Sequence, residues 1–172
     1  YMRAVVEMSL LDTIKDYIEY LCDSFIIEKV TRYDIKGKKY INTPFKYYFM
    51  DLGLRNARLN FRQSERSHLM ENLIYNELRI RGFNVDVGVV PIVIKDAGGN
   101  QQRVQLEVDF VVNQTDKRYY IQSALTVADE EKRQQETHSL NRIDDSYTKI
   151  VVVRDNVLPW IDEKGVQYIN IE

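Results

Sequence analysis

Four side chains in this sequence have the chemistry and spacing to hold a cation: Glu71, Glu107, Asp109 and Gln122. Glu107 and Asp109 stand two apart in EVDFVV, which reads as a strand, so they share one sheet face. Gln122 lies on the next apolar run, YYIQSAL, and reaches the same face if the two runs pair as a hairpin. Glu71 lies upstream in ENLIYNELRIRG, a helical pattern. Oxygen ligands converging at a sheet rim suit a hard divalent cation such as Mg²⁺. Such an ion generates hydroxide and clamps a phosphate during phosphodiester hydrolysis. A carboxylate among apolar neighbours needs a partner, because burying its charge alone is costly.

The elements that must position these groups follow from periodicity. Residues 64–82 read as the clearest helix, capped by Ser64 or Ser67 and ended by Gly82. Leu69, Leu73 and Ile80 centre its expected apolar face, widened by Met70, Ile74 and Leu78, with Glu71 at its edge. Glu77 falls inside that face and reads as a structural acid, paired with an arginine or capping a backbone group. FNVDVGVVPIVIKD reads as one long or bulged strand, DAGGNQQ as a hairpin loop, and RVQLEVDFVV and RYYIQSALTV as the strands carrying the acids and the amide. Val108 and Phe110 are expected on the face opposite Asp109. Residues 128–143 read as a polar surface helix, YTKIVVVRD as a strand buried on both faces, and VQYINIE as a last strand. Trp160 is expected to pack as a lid on the core. The order predicts an α/β domain over 51–172, a mixed central sheet flanked by helices.

The first fifty residues read differently. Residues 9–22 predict a helix with Ser9 and Asp12 in a capping-box start and Ile14, Tyr17, Ile18 and Leu21 on one stripe. A strand, a basic turn around Gly37 and one or two further strands follow, a partial winged-helix segment over 1–50. Lys29, Arg32, Lys36, Lys38, Lys39 and Lys46 interleave there with aromatics, a pattern that suits phosphate contacts. A solvated edge hairpin protected by lysines, or a surface that docks another domain, explains the same residues.

Composition bounds the rest. The chain has 172 residues, 44% hydrophobic and 29% charged, with a net charge of −2, so a nucleic-acid surface must be a local patch. One cysteine, Cys22, excludes an internal disulfide and a cysteine-based zinc cluster. His68 and His138 lack ligand spacing. No apolar run approaches the roughly 20 residues needed to cross a bilayer, and no secretory signal is visible, which predicts a cytoplasmic protein without membrane contact. The chain opens on Tyr1 and reads as a fragment of something longer.

ENLIYNELRIRGF, EVDFVV and YYIQSAL together resemble the helix acid, the metal-binding strand and the (E/Q)xK strand of PD-(D/E)XK nucleases. Residues 9–171 also resemble the C-terminal part of a group of prokaryotic AAA-type ATPases, most specifically in DIKGKKY and KYYFMDLGLRN. The resemblance implies a restriction-endonuclease-like fold. Glu71 would be the helix acid, Asp109 the principal metal ligand, Gln122 the second and Glu107 an accessory acid. The sequence departs from the pattern at Ala124, where an active member has a lysine that positions water and stabilises developing charge. Lys117 in a turn and Lys132 on a solvated helix are poor replacements. No G-x-x-x-x-G-K-[ST] loop is present, so this chain is not expected to bind ATP itself. The reading is a nuclease-like, catalytically degenerate module joined to an ATPase domain and contacting DNA or a partner protein. An active metal-dependent nuclease and a structural dimerisation domain are the alternatives.

Overall fold

A computed structural model describes residues 2–62, 65–95 and 99–171. The order is α1 (Met2–Asp23), β1 (Ile27–Asp34), β2 (Lys39–Phe49), α2 (Leu52–Arg58), α3 (Arg66–Ile80), β3 (Asn84–Lys95), β4 (Gln101–Gln114), β5 (Lys117–Ala124), α4 (Glu130–Thr137), a 3₁₀ turn (Leu140–Arg142), β6 (Thr148–Val153), β7 (Trp160–Ile161) and β8 (Val166–Asn170). The strands form one eight-stranded mixed sheet in the order β2-β1-β3-β4-β5-β6-β8-β7. Residues 1–50, read above as a separate segment, contribute β1 and β2 to this sheet, with β1 lying parallel to β3. No helix among the described residues is long and apolar enough to cross a membrane.

Two cores lie on the two sheet faces. One gathers Met70, Ile74 and Tyr75 of α3 against Val30, Tyr48, Val85, Val87, Phe110, Val112, Ile121 and Val152. The other gathers Leu140 and Ile143 against Val90, Val108, Val111, Tyr120, Ala124, Val151 and Val153. Strand β6 feeds both cores alternately, as its unbroken valine run predicts.

Several expectations need correction. Helix α1 is already helical at Met2, so Ser9 is interior and not a cap. Ser64 lies outside the described residues, as do residues 96–98 of the expected hairpin loop. The N-cap of α3 is Glu65, without a side-chain capping bond, and Ser67 sits in the first turn. Gly82 does end the helix, at φ 81°, with the Phe83 N–H donating to the Leu78 carbonyl. The buried face of α3 is Met70, Glu71, Asn72, Ile74 and Tyr75, while Leu73 and Ile80 are exposed. The reason is polar. Asn72 accepts from the Phe49 N–H at 2.9 Å and donates to the Phe49 carbonyl at 2.7 Å, clamping α3 to the end of β2. That clamp rotates a paired amide inward and turns two apolar residues outward. Glu77 is exposed and accepts from Arg81 at 2.8 Å. The stretch 128–143 is not one surface helix: it breaks after Thr137, and its far end buries Leu140 and Ile143. Trp160 stacks on Tyr168 with ring centroids 4.1 Å apart.

Candidate functional site

A bulge in β4 aims the acids. Val111 pairs with Asp86 and Val108 pairs with Gly88, so Asp109 and Phe110 together oppose Val87. Two residues facing one is the geometry that breaks strand alternation. Phe110 therefore turns to the α3 side with Tyr48 and Tyr75, and is not opposite Asp109 as alternation predicts. Gly88 admits the bulge. A Cβ there would stand 2.9 Å from the Val108 Cβ and 2.9 Å from the Val111 Cγ2.

The bulge brings Asp109 to a cleft of about 320 Å³ lined by Glu71, Gln122, Ser123, His68 and Lys132 among others. Asp109 is buried, and its Oδ2 accepts from the Ser123 N–H at 2.8 Å and the Ser123 hydroxyl at 2.6 Å. Burial and the nearby Glu71 charge push its pKa up to about 6, opposed by the Ser123 bonds. Glu71, also buried, accepts from the Tyr48 hydroxyl at 2.5 Å and meets the Lys46 ammonium at 2.5 Å. The same ammonium lies 2.7 Å from Glu107, whose second oxygen meets Arg32 at 2.7 Å. Burial alone would raise the Glu107 pKa, but Lys46 and Arg32 outweigh it and hold the carboxyl below the ordinary range. Burial alone would lower the Lys46 pKa, and the two glutamates reverse that. Burial and Glu71 drive the Tyr48 phenol far above its ordinary value, so it stays a donor.

Glu71, Asp109 and Gln122 thus line one cleft, and Glu107 is joined to Glu71 through Lys46. Gln122 sends its amide oxygen to the Asp109 backbone N–H at 3.4 Å. Ser123, not Gln122, presents a side chain to the Asp109 carboxylate. Along β5, Ile121 belongs to the α3-side core and Tyr120 and Ala124 to the opposite one. A lysine at position 124 would enter that opposite core, away from the acids. Arg32 and Lys46, expected to contact phosphates, are engaged with Glu107 and Glu71. Lys36 and Lys38 in the β1–β2 turn and Lys39 at the start of β2 are exposed, and Asp34 braces the turn by accepting from the Gly37 N–H at 2.8 Å. Sequence reasoning overlooked Tyr48 and Ser123. Tyr48 stands two after Lys46 on the same strand, so its shared face with that lysine was available from alternation.

The residues do not fit a divalent cation as they stand. Among the described residues, no group of three or more His, Cys, Asp or Glu side chains is arranged to hold a metal ion. The donor set gives the reason. Glu71 and Glu107 are neutralised by Lys46 and Arg32, the Asp109 Oδ2 accepts two bonds from Ser123, and the Gln122 oxygen accepts from the Asp109 N–H. Hard cations need several uncommitted oxygens at once.

Comparison with known proteins adds little about chemistry. A family model described as "Domain of unknown function (DUF8612)" matches residues 10–65, from α1 through α2. A relative from Haemophilus influenzae (strain ATCC 51907 / DSM 11121 / KW20 / Rd), named as an uncharacterized protein, is 31% identical over 140 residues. That stretch covers 81% of this chain and 31% of the relative, so the chain spans about a third of that protein's length. No solved structure matches. The chain is similar to an uncharacterized Haemophilus protein, and its α1–α2 region to a domain of unknown function.

Proposed function

We propose that this chain is a nuclease-like module of a larger, AAA-type ATPase in the cytoplasm, and that it binds DNA without cutting it. One observation carries the reading: the Lys46 ammonium sits on both Glu71 and Glu107. A side-chain cation already engages the expected helix acid and accessory acid, which favours a structural role for them in joining the sheet edge to α3 over the activation of water. The exposed lysines of the β1–β2 turn are the surface offered to phosphates. The Haemophilus relative extends well beyond the shared stretch, which leaves room in that protein for a further domain. The ATPase part belongs to the proposal.

Fluorescence anisotropy with single- and double-stranded DNA tests it. Binding at about 50 mM salt should weaken with a log–log salt slope near −3 if three lysines contact phosphates. Changing Lys36, Lys38 and Lys39 to Glu should abolish it. No cleavage is expected with Mg²⁺ or Mn²⁺. Cleavage that disappears in Asp109→Ala would establish an active nuclease instead, and absence of low-salt binding would sink the DNA-binding role.

A further inference from the structure

Helix α1 turns its apolar arc to solvent. Leu11, Ile14, Ile18 and Leu21 follow at spacings of three, four and three, and Phe25 lies four beyond. Leu11 is 58% exposed, Ile14 47%, Leu21 40% and Phe25 81%. At about 100° per residue, Leu11, Ile14, Ile18 and Leu21 fall in one sector of the helix, and Asp12, Asp16, Glu19 and Asp23 fall in the opposite one, with Phe25 just beyond the helix end. Alternating steps of three and four are the spacing of a seam between paired helices.

Phe25 adds a second, independent observation. Its φ is 55°, the left-handed region where glycine ordinarily ends a helix. Its N–H donates to the Cys22 carbonyl and the Ile26 N–H to the Leu21 carbonyl, both at 3.0 Å, closing α1. A bulky ring held on unfavourable backbone with its surface in water is unfavourable twice over. An opposing apolar surface that takes the ring removes the second cost.

We infer that α1 is the seam of a homodimer, in which two copies pair through Leu11, Ile14, Ile18 and Leu21 with Phe25 as the aromatic anchor. The seam carries no charge of its own, so it asks for an uncharged helical surface of the same spacing. Another α1 is such a surface. The acids point away from the seam, so two copies approach without like-charge repulsion, and Lys15 beside it is paired with Asp12 at 3.1 Å. A specific interface has to clear roughly 1,000 Å² of buried surface, which four turns of large apolar side chains from each copy can supply. This pairing stands independently of the DNA-binding proposal.

Sedimentation equilibrium of the 172-residue chain tests it. The unaltered protein should be dimeric by about 100 µM, corresponding to a Kd at or below the micromolar range. Ile14→Asp and Phe25→Asp should both be monomeric with unchanged near-ultraviolet circular dichroism, since both side chains are largely exposed. Phe25→Gly separates anchoring from folding: it should raise the monomer's melting temperature while weakening the dimer at least about tenfold. A monomeric unaltered protein at that concentration, or a dimer that survives Ile14→Asp, would overturn the inference.

Discussion

The Lys46 ammonium, on β2, lies 2.5 Å from the buried Glu71 carboxylate on α3. The pair ties the outermost strand of the sheet to the helix beneath it, alongside the Asn72 clamp on Phe49. Lys46→Met would leave Glu71 buried without its cation, still accepting from the Tyr48 hydroxyl. Breaking a buried ion pair from one side costs about 3–5 kcal/mol, and partial exposure of Lys46 reduces this to about 2–4. Urea unfolding of Lys46→Met, Glu71→Gln and the double variant should give a double variant more stable than the sum of the single losses predicts. Additive losses would show that the two side chains are not coupled.

Asp109 should contribute less to stability at neutral pH than in mild acid. Its folded pKa, about 6, lies above the ordinary 3.8. Between those values the native state holds a proton that the unfolded chain has released. Stability contributed by this group is therefore complete below about pH 4 and falls as pH rises towards about 6. Asp109→Asn removes the charge facing Glu71 and keeps an oxygen for Ser123. It should gain on the order of 1–3 kcal/mol at pH 7 and flatten the pH dependence across that window. Denaturant midpoints measured from pH 4 to 8 would read this, and an Asn variant less stable at pH 7 would refute it.

Ala124→Lys should not restore a nuclease. Position 124 is 3% exposed and packs in the core that contains Val151 and Val153, away from Asp109. Burying an ammonium there without a partner should cost about 3 kcal/mol or more. Ser123→Lys, on the acids' side, should instead lower the Asp109 pKa, which carboxyl chemical shifts can follow through a titration.

Gly88→Ala should disturb the acids from the other face of the sheet. The added Cβ would press on Val108 and Val111, at the two ends of the bulge. Overpacking of this kind costs about 1–3 kcal/mol. Because the same bulge aims Asp109, the variant should also shift the Asp109 titration. An unchanged titration in a destabilised variant would separate the bulge from the acid's placement.

By itself the sequence determined the strands from β3 to β8 apart from the two-residue β7, the existence of α3 and its end at Gly82. These rest on local periodicity and on a left-handed position that glycine fills. It also determined that Glu107 and Asp109 share a face, because they are two apart on one strand. Only the tertiary structure decided the rest. The inward face of α3 depends on the end of β2, where Asn72 finds a backbone partner, and apolarity alone cannot register a satisfied amide. The turn of Phe110 towards α3 depends on a bulge, which is a property of two strands in register and of the space Gly88 leaves. The cation at the acids comes from Lys46, on a distant strand, and not from the strand position where the pattern would look for it. Charges meet through packing across the sheet, and sequence separation carries no information about that distance.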